Sequence, residues 1–194
     1  MAFQSGSSRS EAIASARQVL QNDLVYLDTE TTGLGPKDEI VEIALVDKDG
    51  NTLLDSFVKP GHPIPPDAFQ IHGITNDMVQ KSPAWPILWT TRVKTLLSGR
   101  IVVAYNAEFD LRMMKQSYEI NMSRPWTENI RSFDLLKVYS LFRGVWDPQR
   151  RAYKYFSLDE AGKSSGISLP NAHRAVADTL LARALLIYIA GVNP

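Results

Sequence analysis

Apolar residues fall in short runs divided by polar punctuation. Residues 24–28, 40–47 and 52–59 alternate or cluster as strands do, and the polar link 48–51 between the last two reads as a hairpin turn. Closely spaced prolines across residues 60–66 remove backbone donors and fix φ, so that stretch is a loop. Ser82-Pro83 then opens a helix to about residue 97, residues 100–105 form a fourth strand, and Asn106 caps a helix carrying Phe109, Asp110 and Met113. A strand near Ile130 and a helix from Asp134 follow. A capping box at Ser157/Glu160 marks another helix, and residues 174–190 form a long closing one.

Three antiparallel strands followed by alternating helices and parallel strands predict an α/β domain, a mixed sheet with helices on both faces. The first ten residues are rich in Ser and Gly and read as a flexible leader, with Ser10 capping a short helix over residues 11–20. The expected organisation is therefore a leader and short helix over residues 1–22 and one domain over 23–194. A chain of 194 residues with 44% hydrophobic content is ample for one core.

Cysteine is absent, which excludes disulfides, thiolate zinc sites and cysteine nucleophiles together and fits a reducing, cytoplasmic setting. The longest apolar stretch, residues 184–192, is too short to span a bilayer. Lys and Arg number 21 against 21 Asp and Glu, so any contact with a polyanion must be local. One segment has that local character: residues 143–156 interleave Arg143, Arg150, Arg151 and Lys154 with Trp146, Tyr153, Tyr155 and Phe156. It reads either as a surface that tracks a single strand or as a solvated loop with buried aromatics.

The candidate chemistry lies in carboxylates. Asp28 and Glu30 end an apolar strand, and positions i and i+2 point to one face, so the two acids converge. Such a pair raises its own pKa unless a cation lies between, and oxygen ligands favour Mg²⁺ or Mn²⁺. A polar turn leaving a strand is the competing reading of Asp28-Thr-Glu-Thr-Thr-Gly33. Asp110, near the start of a helix after a strand, can face the strand ends or merely favour the helix dipole. His173 and Asp178 are five residues apart, about 140° around a continuous helix. They meet one site only if Asp178 is on the helix and His173 on the loop or first turn before it.

Taken in order, Asp-x-Glu on a strand, Asn-x-x-Phe-Asp on a helix and His-x-x-x-x-Asp at the last helix resemble the three motifs of the DEDDh exonuclease family. The likeness runs from about Leu24 to Ile189, and Ile71-His-Gly-Ile-Thr75 resembles a segment of bacterial DNA polymerase III epsilon-type exonucleases. The resemblance implies a ribonuclease H-like fold and a 3′→5′ exonuclease that releases nucleoside 5′-monophosphates. It implies two divalent ions, Mg²⁺ or Mn²⁺, held by Asp28, Glu30, Asp110 and Asp178, with His173 as general base. Family contacts to the terminal nucleotide map onto Thr31, Leu34, His72, Asn106 and Phe109. For Phe109 and Asn106 the readings of core packing and helix cap stand beside that role.

The implied partner is a nucleic acid with a 3′ end. The His-Gly-Ile-Thr segment favours DNA, with an RNA exonuclease of the oligoribonuclease or ribonuclease T kind as the alternative, and a non-catalytic nucleic-acid-binding module as a further one. Tyr105 stands where many relatives have histidine, a departure expected to affect packing. Only four residues follow the last helix, so the long polymerase-holding tail of epsilon-type subunits is not expected here, which favours a free-standing enzyme.

Overall fold

The alternation of the first strand decides the architecture. In β1 (Leu24–Thr31), Leu24 and Tyr26 point to one face and Val25 and Leu27 to the other, and all four are buried, as a strand covered on both faces requires. β2 (Ile40–Asp47) and β3 (Thr52–Phe57) continue antiparallel from it. β4 (Ile101–Ala104) pairs with β1 in parallel, and β5 (Ser132–Asp134) with β4. The order across the sheet is β3-β2-β1-β4-β5, the mixed sheet expected from the sequence. The computed structural model describes residues 3–167 and 174–191 of the chain.

The helices, in chain order, are α1 (Phe3–Val19), α2 (Pro66–His72), α3 (Asn76–Val79), α4 (Trp85–Leu88), α5 (Lys94–Leu97), α6 (Ala107–Met122), α7 (Leu135–Arg143), α8 (Leu158–Ser164) and α9 (Ala175–Ala190). On one face α1, α7 and α9 bury a core with Leu24, Tyr26, Val46 and Val103. On the other, α4 to α6 bury Trp85, Trp89, Met113 and Met114 against Val25, Leu27, Leu45 and Val102. A two-stranded hairpin, β6 (Trp146–Asp147) and β7 (Ala152–Tyr153), stands apart from the main sheet.

Three local expectations are corrected. The leader is helical: α1 starts at Phe3, ahead of the expected Ser10 cap, and buries Ala12, Ala16 and Val19 among α7 and α9. The Arg17 Nε donates to the Ala190 carbonyl at 2.8 Å. Tertiary packing of small residues outweighs the poor helix propensity of the Ser and Gly positions. The helix expected over residues 82–97 is interrupted by a π-helical turn at Trp89–Val93. There the Thr90 and Thr91 hydroxyls donate to the Pro86 and Ile87 carbonyls, a competition that bends helices. The turn lets Trp89 lie against Trp126 at 4.5 Å while the Trp85 Nε1 donates to the Met114 carbonyl. Finally, the proline-rich loop ends sooner than expected, because Pro66 at a first helical position starts α2.

Among the described residues, no helix is long and apolar enough to cross a membrane.

Candidate active site

The site forms where the parallel strands β1 and β4 end. Asp28 and Glu30 continue the face of Leu24 and Tyr26, toward α9, and Asp178 lies on the first turn of that helix. One carboxylate oxygen from each of Asp28, Glu30 and Asp178 lies within 4.8 Å of the other two. Asp110, on the first turn of α6, approaches from the opposite face. Its Oδ1 accepts a hydrogen bond from the buried Thr29 Oγ1 at 2.7 Å, so it borders this triad without joining it. A bulge between Glu30 and Thr31 ends the regular register with β2, a device that re-aims side chains beside functional sites.

The electrostatics of these acids are those of buried carboxylates that repel one another. Burial, followed by the charges of Asp110, Glu30, Asp178 and Glu42, holds the Asp28 carboxyl well above its ordinary range. Burial and then Asp178, Glu42 and Asp110 push Glu30 up to about 8, with Arg174 opposing. Burial pushes Asp110 to about 7 against the lowering effect of the Thr29 hydrogen bond. Hard oxygen donors that repel one another in a desolvated setting suit a divalent cation.

Two residues that sequence reasoning missed support this arrangement. Glu42 lies directly opposite Glu30 in the β1–β2 ladder and is 1% exposed. It accepts from the Arg174 Nη2 at 2.6 Å and Nε at 3.0 Å, and from the Ala175 backbone N–H at 3.0 Å. One carboxylate thus caps the start of α9, satisfies a free helix-end donor and pins the residue next to His173. A signal was available: a lone acid inside the apolar run of β2 must have a partner.

The substrate-side candidates divide. Thr31 is buried, and its Oγ1 donates to the Gly33 carbonyl. Leu34 is 77% exposed on the following loop, whose carbonyls at Gly35 and Asp38 accept from Gln116 of α6. His72 is buried at the end of α2: its Nδ1 accepts from the Ile74 N–H at 3.0 Å, and its Nε2 makes no hydrogen bond. Burial lowers its pKa, partly offset by the Thr31 carbonyl. Phe109 is half-buried against the core with the Arg112 guanidinium 5.2 Å from its ring.

The expected role of Asn106 as a cap is corrected. Its φ is 73°, its side chain makes no capping bond, and it is exposed. Asn is among the few non-glycine residues that tolerate this left-handed geometry. His173 lies outside the described residues. Tyr105 does serve packing: its hydroxyl donates to the Phe156 carbonyl at 2.8 Å. It also lines, with Asp28, Asp178 and Ser157 to Asp159, a cleft of about 300 Å³.

Comparison with known proteins agrees with this geometry. The RNase_T family, described as Exonuclease, matches residues 25–186. An uncharacterized exonuclease, CP81, of Escherichia phage 186 is 39% identical over 84% of this chain and 86% of its own. The DNA polymerase III subunit epsilon of Treponema pallidum is 28% identical over 78% of this chain and 68% of its own. Among solved structures, exonuclease X in complex with 5′ overhanging duplex DNA superposes with a TM-score of 0.64 at 30% identity, covering 87% of this chain and 91% of that one.

Proposed function

The chain belongs to the RNase_T exonuclease family and is an exonuclease, and from that premise we propose that it removes nucleotides from the 3′ ends of DNA single strands with the help of two divalent cations. The observation that carries the reading is the convergence of Asp28, Glu30 and Asp178 within 4.8 Å, with Asp110 at the border. These four carboxylates would hold Mg²⁺ or Mn²⁺, which would supply charge stabilisation for the attacking and leaving oxygens of an in-line displacement.

His173 takes the proton from the attacking water, a task suited to an imidazole titrating near neutrality. The oxygen of that water bonds to the terminal phosphorus, the bond to the preceding 3′ oxygen breaks, and the leaving 3′ oxygen is protonated. The product is a nucleoside 5′-monophosphate and a strand shorter by one. Leu34, already exposed, and Phe109 pack against the terminal bases. Thr31, His72 and Asn106 hold the end of the strand. Similarity to an exonuclease solved with DNA supports that substrate.

Calorimetric titration of Mn²⁺ tests the cation reading, paired with turnover on matched DNA and RNA strands. Wild-type protein binds Mn²⁺ and shortens DNA faster. Glu30→Gln loses both affinity and turnover. Equal Mn²⁺ affinity in the variant would move the metal elsewhere, and faster RNA shortening would reverse the substrate choice.

A further inference from the structure

The β6–β7 hairpin is not used by the site as described, and its surface chemistry is unusual for the chain. Trp146 is 54% and Tyr155 53% exposed, and Val145 is exposed beside them. Large aromatics on a two-stranded ribbon gain nothing from the protein core, and such a ribbon is marginal alone. The segment 143–156 holds four cations and one acid in a chain otherwise balanced between the two signs. Arg150, Arg151 and Lys154 are all exposed, and Arg150 makes a solvated ion pair with Asp147 at 3.7 Å.

The base of the hairpin is firmly tied to the wall of the active-site cleft. Lys154 N–H extends the ladder to the Val145 carbonyl. Phe156 packs edge-on against Tyr139, lies under the Arg143 guanidinium at 4.7 Å, and gives its carbonyl to Tyr105. The next residue, Ser157, already lines the cleft with Asp28 and Asp178. Tyr155 is two residues from that wall and Tyr153 four, at most about 14 Å of chain. Trp146 sits edge-on to Tyr153 at 5.4 Å, so the exposed rings and cations begin at the cleft rim and lead away from it.

We infer that the β6–β7 hairpin is a docking element for single-stranded nucleic acid, engaging the bases and phosphates a few nucleotides upstream of the 3′ end held in the cleft. Exposed rings accept bases regardless of sequence, and flanking Arg and Lys follow the backbone. A protein partner fits less well, because the rings are ringed by cations and solvated Asp147 is the segment's lone acid. The inference rests on the exonuclease reading for its polarity, and its strand-binding content stands independently.

The test separates strand binding from chemistry. Binding of fluorescent oligothymidylate is measured by anisotropy in chelator, and turnover is measured on the p-nitrophenyl ester of thymidine 5′-monophosphate, which is too short to reach the hairpin. Trp146→Ala with Tyr155→Ala weakens oligothymidylate binding by about tenfold or more, as loss of a stacked base does. Ester turnover and the thermal midpoint stay at the wild-type level. Arg150→Gln with Arg151→Gln flattens the slope of log affinity against log salt by about 1.4, the value for two phosphates of a single strand.

Unchanged oligothymidylate affinity in both double variants overturns the inference. So does a loss confined to duplex with an overhang, which would assign the hairpin to the second strand. If wild-type protein does not hydrolyse the ester with Mn²⁺ present while the variants still lose strand binding, the exonuclease reading fails and the docking surface stands.

Discussion

Replacing Arg174 by alanine leaves Glu42 as an unpaired carboxylate, 1% exposed and directly across the ladder from Glu30. Removing one partner of a fully buried pair costs about 3–5 kcal/mol. The Arg174 side chain is 41% exposed, so part of that cost is relieved by water, and the expected loss is about 2–3 kcal/mol. For a chain of this size that lowers the thermal midpoint by about 5–10 °C. Glu42→Gln behaves differently. It keeps the bond from the Ala175 N–H, frees a guanidinium that can turn to solvent, and removes one of the charges that raise Asp28 and Glu30. Its cost is about 1 kcal/mol, and the double variant should be milder than the sum of the two singles. Thermal denaturation in chelator, with urea melts for the free energies, measures all three. Equal losses for Arg174→Ala and Glu42→Gln, or strict additivity, would refute the argument that the buried carboxylate is the liability.

Asp28→Asn removes an ionisable group from the centre of the acidic cluster, so it abolishes activity while raising the melting temperature of the metal-free protein at alkaline pH; a lower midpoint there would contradict the repulsion described. The pH dependence follows the same logic. Glu30 and Asp110 have folded pKa values of about 8 and about 7 against ordinary values of 4.5 and 3.8, so the unfolded state releases protons more readily. Their contribution is fully present below pH 4 and is lost as pH rises toward 8. Metal-free melts between pH 5 and 8, on the order of the window set by these shifts, should show this decline, and Mg²⁺ or Mn²⁺ should restore most stability at the alkaline end. Gly162→Ala places a methyl 3.0 Å from a Leu181 methyl and 3.1 Å from the Ile167 carbonyl, so the Leu181 side chain and the backbone at Ile167 must shift to admit it. A loss of about 1–3 kcal/mol in urea denaturation is expected.

Much of the site was legible because its signals are local. Alternation in β1 put Asp28 and Glu30 on one side, at the end of a strand. The capping box at Ser157/Glu160 has the two reciprocal bonds its spacing implies. The features that stayed hidden are long-range. Nothing near Glu42 in sequence announces Arg174, 132 positions away, and nothing near Asp110 announces Thr29. The early start of α1 was illegible for the same reason: Ser and Gly argue against a helix locally, and only burial of Ala12 and Ala16 against α7 and α9 decides otherwise. The π turn at Trp89 likewise answers to Trp126, a partner that no helical period could reveal.

The carboxylates of Asp28, Glu30, Asp110 and Asp178 are proposed to direct divalent-cation cleavage at the 3′ end of a strand. A time course on single-stranded DNA labelled at its 5′ end, in Mn²⁺ and in chelator, with Asp28→Ala in parallel, tests it most directly. A ladder shortening one nucleotide at a time in Mn²⁺ alone is expected, absent in the variant, with 5′-monophosphates as the released product. Immediate appearance of a short labelled product, cleavage that persists in chelator, or an unimpaired Asp28→Ala variant would contradict it.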